Sequence, residues 1–136
     1  MSTTAKFAVF TEAKNLYEYL GLILTDAPIE YRHTLVRDIL QGCVEVIDLL
    51  CEANAGMDEE WRLKLQNKAI GKLQRVSMLV NTAFTTKTKT KKPIIAYKQN
   101  EHISKMLLKL NTILYGWRNS NAVHKDQLKK RKDKSG

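Results

Sequence analysis

Residues Lys98–Arg118, KQNEHISKMLLKLNTILYGWR, sort into two stripes when wound at about 100° per residue. Ile103, Met106, Leu107, Leu110, Ile113, Leu114 and Trp117 fall within about 120° of one face, the width of a core-facing helix surface. Lys98, His102, Lys105 and Lys109 fall within about 60° of one another on the adjoining face. The stretch is thus a helix with a seam for partner helices and a rail of positive charge beside that seam.

The same pattern occurs upstream. From about Glu59 to Phe84, Leu65, Ala69, Leu73, Val76 and Val80 form a seam that Ile70 and Phe84 broaden. Lys64, Lys68, Lys72 and Arg75 form a second rail, within about 80° of each other. Between the two helices lies Thr85–Pro93, TTKTKTKKP, which has no large apolar residue to pack. It reads as a mobile basic loop carrying Lys87, Lys89, Lys91 and Lys92. With this loop as a bridge, the two rails are expected to form one large basic surface.

Earlier in the chain, Phe10, Ala13, Tyr17, Leu20 and Leu24 repeat at three and four, giving a first helix from Phe7 or Thr11 to Thr25. Asp26-Ala27-Pro28 ends it, because proline lacks the amide that would continue the ladder but suits the first turn of a new helix. The second helix covers about Pro28 to Asn54. Its expected apolar band is Leu35, Val36, Ile39, Leu40, Cys43, Val44, Ile47, Leu50 and Cys51. Gly42 inside it marks a close approach of another helix, since glycine there costs about 1 kcal/mol against alanine. Ala55-Gly56 closes the helix as a glycine C-terminus, and Asp58 caps the next. Four amphipathic segments with short outer links predict an all-α protein, an antiparallel up-down-up-down four-helix bundle over residues 1–121. After Trp117 the periodicity fades, and residues 122–136 read as a basic, disordered tail.

The charge is unevenly distributed. Residues 1–60 carry four Lys/Arg against eleven Asp/Glu, whereas residues 61–136 carry nineteen against three. That split points to an anionic partner for the second half, or to acidic-to-basic contact between subunits meeting head to tail in a ring. No run of about 18 uncharged apolar residues is present, which argues against a membrane span. The opening MSTTAKFAVFTEAK lacks the apolar segment of a secretory signal. Cys43 and Cys51, eight residues apart on one helix, would stand about 12 Å apart, too far for a mutual disulfide. They are expected to be buried, reduced thiols of a cytoplasmic protein.

No glycine-rich phosphate loop, zinc-ligand spacing or nucleophile elbow occurs, so no cofactor and no enzymatic activity are expected. One arrangement touches on catalysis: Arg118-Asn119 followed by His124 fits the loose Arg-Asn-x(4)-His spacing of HEPN ribonucleases. The rails suit a different task. Lysines spaced along a helix neutralise phosphates and release counterions, giving affinity without sequence readout. Tyr97 and Trp61 are the aromatic residues outside the expected core that could stack on bases.

FTEAKNLYEYL, PIEYRHTLVRDI, VEVIDLLCEAN, KLQRVSMLVNTAF and ILYGWRNSN, in that order, resemble the accessory variability determinant (Avd) family of diversity-generating retroelements. That four-helix family also includes proteins encoded in intervening sequences of bacterial 23S ribosomal RNA genes. The resemblance spans Phe10 to Asn121. Its most specific pieces are Pro28, Tyr31 and Arg32 at the opening of helix two and Gly116-Trp117 near the end of helix four. It implies a homopentameric barrel that associates with a reverse transcriptase and with template RNA or cDNA, without an active site of its own. The candidate binding residues are then the two rails, the loop lysines and Arg118.

Overall fold

The computed structural model describes the backbone of residues 3–56 and 58–135, and the side chains of 8–56, 58–123, 126, 127 and 129–131. The protein is all-α: α1 (Thr3–Ile23), α2 (Ile29–Tyr31), a π-helical turn (Arg32–Val36), α3 (Arg37–Ala55), α4 (Glu59–Thr85) and α5 (Tyr97–Ser135). Helix α1 packs on α3 and α5, and α4 packs on α3 and α5, so the long helices enclose one core. Ion pairs and hydrogen bonds joining Glu45 to Lys72, Glu12 to Lys109 and Gln74 to Tyr115 fix which sides face each other.

Pro28 stands just before α2 with φ −55° and ψ 142°, and the Arg32 guanidinium donates to the Ala27 carbonyl at 2.9 Å across the link. What reads as one helix from Pro28 to Asn54 is interrupted by the π turn, which contains an extra residue relative to regular α geometry. The buried face of α3 is Ile39, Gly42, Cys43, Val46, Leu50 and Ala53. It is rotated by roughly 70° from the face expected from hydrophobicity alone. The rotation follows from small residues: Gly42 and Ala53 let α4 approach closely, and a Cβ at Gly42 would stand 2.7 Å from Val76 Cγ2. Cys51 consequently faces solvent, which corrects the expectation that both thiols are buried. Cys43 is buried, and loss of water around it pushes the thiol up to about 12.

Gly56 does not close α3 in a left-handed conformation; its φ is −72° and ψ 136°. The helix end is held instead by Arg62 of α4, which donates to the Ala53 carbonyl at 3.2 Å and to the Gly56 carbonyl at 2.6 Å. Asp58 caps α4 as expected, accepting from the Glu60 amide at 3.1 Å. The seams of α4 and α5 lie where periodicity puts them. Leu65, Ala69, Leu73, Val76 and Val80 are buried on α4; Ile103, Leu107, Leu110, Leu114 and Trp117 are buried on α5. Gln66 is a buried polar residue that periodicity does not reveal.

The segment after α4 is not a free loop. Lys87 and Pro93 form a β-bridge, the Thr88 hydroxyl donates to the Lys92 carbonyl at 2.8 Å, and the Lys91 amide donates to the Thr88 carbonyl at 2.8 Å. Lys91 takes φ 64° to close this turn. The amides of Ile94 and Ile95 then both donate to the Ala83 carbonyl, and Ile95 is fully buried. An apolar plug thus anchors the hairpin to the core. Helix α5 continues through Ser135, so the tail read as disordered is helical in its described residues. The Asn121 side chain, 6 % exposed, donates to the Glu59 carbonyl at 3.1 Å, so Asn121 still belongs to the packed part of the helix. Among the described residues, no helix is long and apolar enough to cross a membrane.

Candidate nucleic-acid interface

The two rails do not form one surface. Helix α4 turns its cations towards α3, where Lys72 Nζ lies 3.0 Å from Glu45 Oε2. Helix α5 turns its rail towards α1, where Lys109 Nζ lies 3.0 Å from Glu12 Oε1. Because α4 and α5 are themselves neighbours, these are opposite sides of the molecule. The hairpin connects the helices but does not bring the rails together.

The two sides also differ in their partners. On α3, Glu45 meets Lys72, whereas Asp38 pairs with Arg37 on α3 itself at 3.9 Å and Asp48 is exposed, nearly opposite the buried face. Lys72 is therefore the rail cation of α4 that pairs with a carboxylate of α3. The Lys72 ammonium, followed by smaller contributions that include Arg75, holds the Glu45 carboxyl below the usual carboxylate range against the opposing effect of burial. On the other side, Glu12 and Tyr19 of α1 reach the α5 rail, at Lys109 and His102. Glu18 pairs instead with Lys14 on α1 itself, 3.7 Å away. Lys98 and Lys105 are exposed and flank Glu101, one turn from each on α5 itself.

Several expected arrangements change accordingly. Glu12, Glu30 and Glu45, from the acidic half, close ion pairs within the protomer with Lys109, Lys89 and Lys72, the Glu30–Lys89 distance being 3.8 Å. They are therefore engaged before any neighbouring subunit arrives. Lys87, Lys89, Lys91 and Lys92 are exposed on the hairpin, at the end of the molecule where α5 begins with Tyr97 and Lys98. Arg118 belongs to neither rail. It sits over the Tyr115 ring at 5.3 Å and donates to Asn67 Oδ1 at 2.9 Å and to Asn119 Oδ1 at 2.8 Å.

Periodicity also missed a residue. His102, exposed in the middle of the α5 rail, stands edge-on to Tyr19, with ring centroids 4.6 Å apart and planes at 69°. Nothing in the sequence joins these residues, 83 positions apart; the only signal is that Tyr19 borders the α1 seam on one side. Of the two aromatic residues expected to be available, Trp61 is 47 % and Tyr97 71 % exposed. Trp61 shares a groove with Asp58, Glu60 and Lys64. Tyr97 leans on Phe84, with centroids 6.3 Å apart.

No protein-family model, curated protein or solved structure matches the chain. The chemistry of the site must be read from its own side chains. Among the described residues, no group of three or more His, Cys, Asp or Glu is placed to hold a metal ion. His124, the third member of the ribonuclease-like constellation, has a side chain outside the described residues. Its backbone lies in the continuous α5. The arrangement that remains is an exposed line of cations with an aromatic pair at its centre. It can neutralise a phosphate backbone, and it offers a ring to a base.

Proposed function

We propose that the chain is a non-catalytic accessory protein of a diversity-generating retroelement, of the Avd type. It binds template RNA or cDNA and a reverse transcriptase through basic surfaces, and supports mutagenic cDNA synthesis and retrohoming. In this reading the packed helices are an antiparallel up-down-up-down four-helix bundle, and five copies form a barrel. The observation that carries the nucleic-acid part is the α5 rail, where Lys98 and Lys105 are exposed and Lys109 alone has a carboxylate partner. The retroelement part rests on the ordered sequence resemblance from Phe10 to Asn121.

Self-association is supported by a feature of the α4–α5 side. Met78 and Leu108 are 64 % and 69 % exposed there, and the Gln74–Tyr115 register sets them at about the same level. Arg75 and Lys105 stand one turn from Met78 and Leu108 respectively, so cations border the apolar pair. An exposed apolar pair of this kind is a surface that a second copy can cover.

Co-purification with the product of a neighbouring reverse transcriptase gene, with and without nuclease treatment, tests the assignment. Retention of the polymerase after nuclease treatment is expected; loss of it would leave nucleic acid as the only link. A neighbouring polymerase gene with template and variable repeats separates this reading from the ribosomal intervening-sequence branch, which would bind structured RNA alone. The engagement of Arg118 with Asn67 and Asn119 supports a non-catalytic protein over a ribonuclease.

A further inference from the structure

The α1–α5 side combines two features that a duplex and a single strand would use differently. Lys98, Lys105 and Lys109 supply charge, and any polyanion can engage it. The His102 ring is usable only by a base whose face is free. It stands one turn from Lys98 and less than one turn from Lys105, about 6 Å and 4.5 Å along the axis. Its edge-to-face contact with Tyr19 fixes the ring while leaving His102 exposed. In a duplex the base faces are stacked on one another, whereas unpaired bases can turn outward onto an aromatic side chain.

We propose that this side is a binding groove for single-stranded nucleic acid, in which a base stacks on the Tyr19-supported His102 ring while the flanking phosphates meet Lys98 and Lys105. The α3–α4 side, on the opposite face of the molecule and without this ring pair, takes no direct part. This assignment rests on the nucleic-acid binding proposed above and adds both the surface and the strandedness of the ligand.

Fluorescence anisotropy with a labelled 12-nucleotide single-stranded RNA, the same strand with abasic positions, and its duplex provides the test. Lys98→Glu/Lys105→Glu should weaken single-strand binding at least tenfold and lower the salt slope by about 1.4, two contacts at roughly 0.7 each. Lys64→Glu/Lys68→Glu should change affinity less than about threefold, because those lysines lie on the opposite side of the molecule, beyond the reach of screened charge. His102→Ala should weaken the single strand about 5- to 100-fold, with little change for the abasic strand or the duplex. His102→Phe should restore binding, which separates stacking from loss of fold; circular dichroism melting checks each variant.

Equal losses from the α4 and α5 reversals, or a His102→Ala effect that is the same for all three probes, would overturn the groove while leaving nucleic-acid binding intact. Absence of binding to every probe by the unaltered protein would remove the nucleic-acid reading itself, and the groove with it.

Discussion

Gly42 and Gly71 are both glycines inside helices, and their surroundings give them opposite roles. A Cβ at Gly42 would lie 2.7 Å from Val76 Cγ2, and valine cannot swing its methyl aside because its χ1 is held by branching at Cβ. A Cβ at Gly71 would meet nothing within 4 Å. Gly71→Ala is therefore expected to stabilise the protein by about 0.5–1 kcal/mol, the ordinary helix-propensity gain. Gly42→Ala receives the same gain but must push α3 and α4 apart, and should be net destabilising by about 1–2 kcal/mol. Urea titrations of the two variants check the pair, and a stabilising Gly42→Ala would show that the α3–α4 contact is looser than described. Gly116 resembles Gly71 in having open space, so the buried Trp117 rather than Gly116 anchors the end of the α5 seam.

At the scale of elements, α5 divides at Asn121. Up to that point its side chains are held by the core and by the Asn121–Glu59 hydrogen bond; beyond it Val123 is 56 % exposed. A chain ending after Asn121 should lose helical ellipticity in proportion to the residues removed, yet melt within a few degrees of the full chain. A large fall in melting temperature would mean that the extension packs on the rest of the molecule.

The seams of α4 and α5 were legible in the sequence because each is one continuous α-helix whose apolar residues repeat without interruption. The phase of α3 was not legible. A π turn at Arg32–Val36 precedes it, and its buried face is chosen by small residues that hydrophobicity scores pass over. The hairpin was misread for a related reason. Threonine and lysine composition describes a solvated loop, whereas its order comes from backbone hydrogen bonds and from Ile95 further along the chain. The rails were visible as charge on two helices, but which helix each would face depends on tertiary contacts. The pairing of Lys72 with α3 and the placement of Tyr19 beside His102 emerge only from those contacts.

For the molecule as a whole, the uneven charge along the chain is partly spent inside each protomer. Three cross-element pairs, Glu12–Lys109, Glu30–Lys89 and Glu45–Lys72, join the acidic half to the basic half. Glu30–Lys89 is open to solvent on both sides and contributes less than about 1 kcal/mol, whereas Glu12 and Glu45 are partly buried beneath their lysines. If subunits associate, the apolar pair Met78 and Leu108 is a better candidate for the contact than acid-to-base docking. Met78→Glu/Leu108→Glu should then dissociate the assembly to monomers in light scattering at micromolar concentration, because two carboxylates would be buried at each contact. The substituted side chains are solvent-exposed within the protomer, so its melting behaviour should be retained once dilution-dependent effects are accounted for. An assembly unchanged in mass would place the contact elsewhere. A mass that instead falls with rising salt in the unaltered protein would restore charge pairing between subunits as the dominant force.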